Sequence, residues 1–314
     1  MWKNKIKKAA AAWLPLLLFL LAAENAPYQL LRQTAAPEKR GQVLGVSTVN
    51  IRGELPTRTA LAAVSDPDTT KVQAASFLVF DLQSGQELLS RAPDKQVAIA
   101  SLTKLMTAWV AYSGTNLNQT ITITAADRLD VSPDLDLQIG DKVPALDVFN
   151  AMLIGSCNDA ALALGNFITA QTGQSAVELM NQAAQKLGMA ETHFANPMGF
   201  DSADNYSSAA DLKKLIMQTE QLAVFRNLGR RTSYDFSGST GRHYHAVATN
   251  RLLSSHPELA AIKTGSTPQA AEAMAARFTF SGRDVAILVL SSPDREADLL
   301  KLENLVRQNF KTDN

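Results

Sequence analysis

Apolar and polar positions recur along this chain with two different periods, and the switches between them predict its elements. Ser76-Phe77-Leu78-Val79-Phe80-Asp81-Leu82 and Glu87-Leu88-Leu89-Ser90 flank Gln83-Ser84-Gly85-Gln86, which reads as a β-hairpin with glycine in its turn. A small apolar approach, Val97-Ala98-Ile99-Ala100, runs into Ser101 and then a helix-forming stretch reaching about Tyr112. Thr120-Ile121-Thr122-Ile123-Thr124 alternates as a short strand. Past a loop with Pro133 and Gly140, Leu146 to Ile154 reads as a helix stopped by Gly155. Asp159 to about Ala170 is a second helix, and Val177 to Leu187 a third, closed by Gly188. Near the end, Ala273 to Phe280 and Asp284 to Ser291 predict a long hairpin around Ser281-Gly282-Arg283, followed by a helix from about Pro293 to Phe310. Strands at both ends of a helical middle predict one sheet assembled from distant pieces, in an α+β domain spanning residues 75–314.

Upstream of that domain the periodicity is lost. Residues 24–74 are rich in Pro, Arg, Thr, Ala and Gln and read as a linker or stalk, with Asp66-Pro67-Asp68 as a turn-like break before the folded part. Val43, Leu44, Val46, Val49 and Ile51 could supply a strand or two within it. At the start, Lys3, Lys5, Lys7 and Lys8 precede an apolar run from Ala9 to Ala23, so residues 1–23 read as an export signal. Leu21-Ala22-Ala23 offers a small-residue cleavage site, and the alternative is retention as a membrane anchor. The run is shorter than the roughly 20 apolar residues a span needs. Either way the lysines stay cytoplasmic and the rest of the chain lies outside.

Composition narrows the function. The 314 residues are 46% hydrophobic and 19% charged, which suits a globular protein with a substantial core. Thirty basic side chains balance thirty acidic ones, so no net charge favours nucleic acid as a partner. A single cysteine, Cys157, rules out an intrachain disulfide.

The candidate chemistry starts at Ser101 and Lys104. On a helix, a spacing of three puts a hydroxyl and an ammonium on one face, an attacking oxygen beside a base. Among all the lysines only Lys104 has a serine three positions before it, and among all the asparagines only Asn158 has one two positions before it, Ser156. Lys263-Thr264-Gly265 also occurs once. Taken singly each has a plain alternative: Ser101 as a helix cap, Ser156 and Asn158 as linker residues, Lys263-Thr264-Gly265 as a strand end. Three unique patterns in this order are a much stronger signal.

With these residues the chain resembles the penicillin-recognising serine enzymes, whose motifs these three patterns match. Within them it is most similar to the low-molecular-mass D,D-peptidases. Ile99 to Ala108 looks like their nucleophile motif, and Ser156-Cys157-Asn158-Asp159-Ala160-Ala161 like their second. Leu187-Gly188-Met189, Asn196-Pro197 with Gly199, Asn205-Tyr206-Ser207 and Thr249-Asn250-Arg251-Leu252-Leu253 resemble intervening segments. The resemblance implies a β-lactamase-like fold, an antiparallel sheet flanked by helices with a helical subdomain. It implies an extracytoplasmic serine peptidase acting on peptidoglycan stem peptides through an acyl-enzyme, and acylation of the same serine by β-lactams. Ser101 would attack, Lys104 would take its proton, and Ser156 would carry a proton to the leaving amine. Asn158 would hold the peptide amide, Lys263 and Thr264 with Gly265 the terminal carboxylate, and the backbone N–H groups of Ser101 and Ser266 the oxyanion. Lys104 can act as a base only if its ordinary pKa of about 10.4 is pulled down, which burial and a nearby cation would both do.

After Gly265 the chain departs from many D,D-peptidases: Ser266 and Ala270-Ala271 stand where an aromatic or His and Ala-Gly are common, which puts substrate preference in question. The chain ends about one helix after the last hairpin, a slight lean toward shorter, endopeptidase-like members. The alternatives are a serine β-lactamase and an inert wall-binding module of the same fold. Glu178-Leu179-Met180-Asn181 has the wrong spacing for a β-lactamase deacylation motif and sits in a helical stretch. Cys157 reads as a small apolar filler, and Asp130, Asp134 and Asp136 as solvated turn residues. His243 and His245 share one face of a strand-like stretch, yet no Cys or carboxylate completes a ligand set beside them, so neither metal nor cofactor is expected.

Overall fold

The computed structural model describes residues 61–312, with the side chains up to 311. Leu61–Ala63 forms β1, Ser76–Asp81 β2 and Glu87–Arg91 β3, and a 3-10 turn at Ala100–Leu102 leads directly into α1, Thr103–Gly114. Thr120–Thr122 is β4 and Lys142–Pro144 β5; then come α2 (Ala145–Gly155), α3 (Asn158–Thr172) and α4 (Ala176–Lys186). Next are α5 (Ala209–Thr219), α6 (Ala223–Arg226), β6 (Ser233–Ser237) and β7 (His243–Val247). Strands β8 (Ala260–Thr267), β9 (Ala271–Phe280) and β10 (Arg283–Ser292), helix α7 (Arg295–Asn309) and β11 (Phe310–Thr312) complete the chain.

The main sheet has five antiparallel strands in the order β3-β2-β10-β9-β8, so the first hairpin pairs with the last one through β2 and β10. Side chains alternate across a strand, and both faces of this sheet are covered. Leu78, Phe80, Ala286, Leu288 and Leu290 enter a core shared with α1, α2 and α3. Phe77, Val79, Val285, Ile287 and Val289 enter a second core, closed by Leu299, Leu302 and Val306 of α7. The sheet is thus the middle layer between α7 and a helical body, an α+β arrangement as the sequence predicts.

The hairpin turn does use Gly85, at φ +73, and the anticipated helices appear within a few residues of their expected ends. The folded body, however, starts before residue 75. β1 pairs with β11, and Leu61, Val72 and Ala74 are buried in the second core; a chain division falls after Thr57. Apolar positions this sparse have no readable period, because their partners lie at the other end of the chain. The export signal at residues 1–23 and the strands suggested around Val43 to Ile51 lie outside the described residues. No helix among the described residues is long and apolar enough to cross a membrane.

Strand β8 and the segments from α5 to β6 were not assigned from the sequence, whereas β7 is the strand-like stretch read at His243 and His245. α5 carried a signal: the hydroxyl of Ser208 accepts from Asp211 N–H at 3.1 Å as an N-cap, ahead of buried Leu212, Leu215 and Ile216. β8 lacked one. Lys263 and Thr264 are buried polar residues, and a register shift between Ala261 and Lys263 breaks its alternation.

Candidate active site

Three backbone irregularities bring the site together. Ala100 is held at φ +47, an uncommon conformation for a residue with a side chain, and it delivers Ser101 into the turn that opens α1. One turn on, the buried Lys104 donates from Nζ to Ser101 Oγ at 2.8 Å, to Asn158 Oδ1 at 2.8 Å and to the Met198 carbonyl at 2.7 Å. Burial without an anion among these partners pulls Lys104 down to about 7, so the amine is half neutral near physiological pH. Burial also pushes the neighbouring Cys157 thiol up to about 12. A thiol that keeps its proton lends Lys104 no charge, and Cys157 sits in the apolar core as expected of a filler.

The second irregularity follows α2. Gly155 ends the helix where a Cβ would lie 2.9 Å from the Cβ of Ala246, and Ser156 takes a left-handed φ of +58. That bend lets α3 begin at Asn158, whose N–H donates to Pro133 O at 2.7 Å and whose Nδ2 donates to Val131 O at 2.9 Å. With Oδ1 occupied by Lys104, the amide is fixed at both ends. The neighbouring loop is anchored by the buried Asp159, which accepts from Leu135 N–H and Leu137 N–H. Of the aspartates in that loop, Asp136 pairs with Arg128 and Arg242 at the surface, as a solvated turn residue would.

The third is the bulge in β8. Next to it Lys263 turns inward and donates to Ser156 Oγ at 2.8 Å and to the Thr264 carbonyl at 2.9 Å. Complete burial, and after it the charge of Lys104, hold Lys263 well below the ordinary lysine range. Thr264 Oγ meets Thr249 Oγ in a short hydrogen bond. Gly265 explains the end of its motif, because a Cβ there would stand 2.9 Å from the backbone nitrogen of Ser101. Its carbonyl accepts from Arg295 at 3.0 Å, and that guanidinium is tied to Glu296. Ser266, next along the strand, is exposed.

All eight anticipated residues therefore fall on these three neighbouring segments. The contacts that sequence reasoning missed are the carbonyls of Met198 and Val131, the hydroxyl of Thr249 and the side chain of Arg295. Gly199 was the available hint for the first: at φ +88, a Cβ there would strike the Ala100 carbonyl, so the segment bearing Met198 has to lie against the nucleophile turn.

A model of the D-alanyl-D-alanine carboxypeptidase family matches residues 61–294. The chain belongs to this family. It is a serine D,D-peptidase, and so a hydrolase. A D-alanyl-D-alanine carboxypeptidase of Streptomyces sp. (strain K15) is 30% identical over 82% of this chain and 96% of its own length. DacD of Escherichia coli (strain K12), called by the same activity, is 29% identical over 78% of this chain, which spans 66% of DacD. Proteins called D-alanyl-D-alanine endopeptidase match over a similar share of the chain. The crystal structure of the Streptomyces K15 DD-transpeptidase superposes with a TM-score of 0.70 at 30% identity, covering 77% of this chain and 98% of that one.

Two further expectations of this D,D-peptidase can be placed. Glu178 is exposed on α4, and Asn181 exchanges hydrogen bonds with the backbone of Phe194, so this segment is a helix, as the sequence predicts. The histidine pair needs a correction. His243 and His245 do meet a carboxylate, Asp235, which reaches them across the hairpin from β6 and was invisible in the local sequence.

Proposed function

We propose that this D,D-peptidase is exported by its N-terminal segment and cleaves peptidoglycan stem peptides after the penultimate D-alanine. Ser101 Oγ attacks that carbonyl while neutral Lys104 takes its proton. The tetrahedral oxyanion rests on the backbone N–H groups of Ser101 and Ser266, a contact typically worth about 3 kcal/mol of barrier per donor. The peptide C–N bond then breaks as Ser156 gives its proton to the departing amine and takes a replacement from Lys104 or from Lys263, whose Nζ donates to its hydroxyl at 2.8 Å. Water hydrolyses the resulting ester along the reverse path, which restores Ser101. Asn158 orients the substrate amide. Lys263 and Thr264 receive its terminal carboxylate, and the arriving anion favours the charged form of Lys263 that burial alone disfavours.

The observation that carries this reading is the 2.8 Å hydrogen bond from buried Lys104 to Ser101 Oγ, with Lys104 lowered to about 7. A lysine so placed is a base matched to neutral pH. Relatives of both kinds support a leaving group that is either free D-alanine or the amine of a neighbouring stem. A fluorescent penicillin should label the wild type and leave Ser101→Ala unlabelled. Continued labelling of that variant would remove Ser101 as the nucleophile. Product masses from purified peptidoglycan then distinguish released D-alanine from opened cross-links.

A further inference from the structure

Strands β6 and β7 form an antiparallel hairpin whose two faces are unlike. Phe236, Tyr244 and Ala246 are buried on the inner face, which packs against the end of α2. Asp235, His243 and His245 stand exposed on the outer face. Asp235 lies directly opposite His245 in the register, and His243 is two residues from His245 along the same strand. Asp235 Oδ1 lies 2.7 Å from His245 Nδ1 and 3.1 Å from His243 Nε2. Neither strand contains a lysine or an arginine that would neutralise Asp235 from within the hairpin. None of the three residues has a part in acyl transfer.

Two imidazoles from alternate positions of one strand, with a carboxylate from its neighbour, are donor types that zinc takes, and the two ring nitrogens, which now flank Asp235 Oδ1, stand too far apart to grip one ion until the exposed rings turn inward. We propose that Asp235, His243 and His245 form a zinc-binding site on the outer face of this hairpin. The two ring nitrogens now share one carboxylate oxygen at hydrogen-bond distance. Zinc takes ligands at roughly 2.0–2.2 Å, so binding replaces the shared protons by the ion and draws the exposed rings inward by side-chain rotation. The paired strands keep the three Cα positions in place, and water fills the remaining coordination. The inner face of the hairpin touches α2 at Gly155, one residue before Ser156, where a Cβ would stand 2.9 Å from Ala246 Cβ.

Equilibrium dialysis of the full chain against zinc, with bound metal counted by mass spectrometry, tests the site. The wild type should hold one zinc ion, and Asp235→Asn and His245→Gln should each lose affinity by about tenfold or more. His193→Gln, which removes a ring bonded instead to the Asp204 carbonyl, should bind as the wild type does. Labelling by fluorescent penicillin without zinc, unchanged in every variant, reports intact folding and keeps this test separate from that of the catalytic serine. An absence of zinc uptake in the wild type overturns the proposal, as does undiminished uptake by His245→Gln or an equal loss in His193→Gln.

Discussion

Lysine meets serine twice in this site, and the two couples differ in ways that separate their tasks. Lys104 donates to Ser101 and Lys263 to Ser156, each at 2.8 Å from a buried amine. Their remaining partners are an amide oxygen and backbone carbonyls, so both lysines fall below their ordinary pKa for the same reason, burial. The serines are held differently. Ser101 is partly exposed in the turn that leads into α1, whereas Ser156 is 5% exposed in a left-handed bend after α2. A carbonyl carbon can reach the first, while the second can only pass a proton to something already bound. The same pair of residue types thus supplies a nucleophile in one place and a proton carrier in the other, and the depth of the hydroxyl makes the difference.

Breaking each couple in turn tests that distinction, and the largest effect belongs to the lysine of the open couple. Lys104→Met should slow acylation by a β-lactam about 10³-fold or more, since it removes the base that activates Ser101. The loss should be the same when the β-lactam carboxylate is masked as its methyl ester. Lys263→Met should also slow acylation by the free acid, but the ester should react with the variant and the wild type at rates within about tenfold, because the charge that Lys263 meets is gone. Mass spectrometry of the acyl-enzyme over time gives both rates, and an ester-independent loss in Lys263→Met would remove its carboxylate role. A smaller effect is expected from the hydroxyl of the closed couple. Ser156→Ala should lower peptide turnover by roughly 10²-fold, the scale of a lost proton donor, and still be labelled by fluorescent penicillin. Loss of labelling in step with Ser101→Ala would make the two serines equivalent.

The couples also differ in how far they could be read from the sequence. Ser101 and Lys104 are one helical turn apart, so spacing alone put their side chains together. Ser156 and Lys263 are separated by 107 residues, and no local pattern joins them. Only resemblance to known motifs put them in one site, and the geometry then supplied the hydrogen bond. The fold divides along similar lines. The hairpins and the helices α1 to α4 carry their own period, but β8 hides its own under a bulge and two buried polar residues. β1 depends on β11, and Asp235 depends on the pairing of β6 with β7. Met198 contributes through its carbonyl, which no side-chain pattern can encode.

The smallest effect is one of pH, and it bears directly on which lysine limits the open couple. The active form of Lys104 is the neutral amine. With Lys104 lowered to about 7, that form predominates above this pH and declines about tenfold for each unit below it. Lys263 complicates any measurement made at low substrate, because an anion binding there takes up a proton and weakens as pH rises. At saturating β-lactam the carboxylate is already in place and holds Lys263 charged, so the maximal acylation rate reports Lys104 alone. That rate should rise about tenfold between pH 5 and 6, bend near 7, and be level by pH 9. A single rise placed near 10 would mean that burial leaves Lys104 an ordinary lysine, and a proton acceptor other than Lys104 would then have to serve Ser101. Lys263→Met, assayed with the methyl ester, should keep the same direction of the profile. Its midpoint should stay near 7, because burial, which the variant leaves in place, is what lowers Lys104.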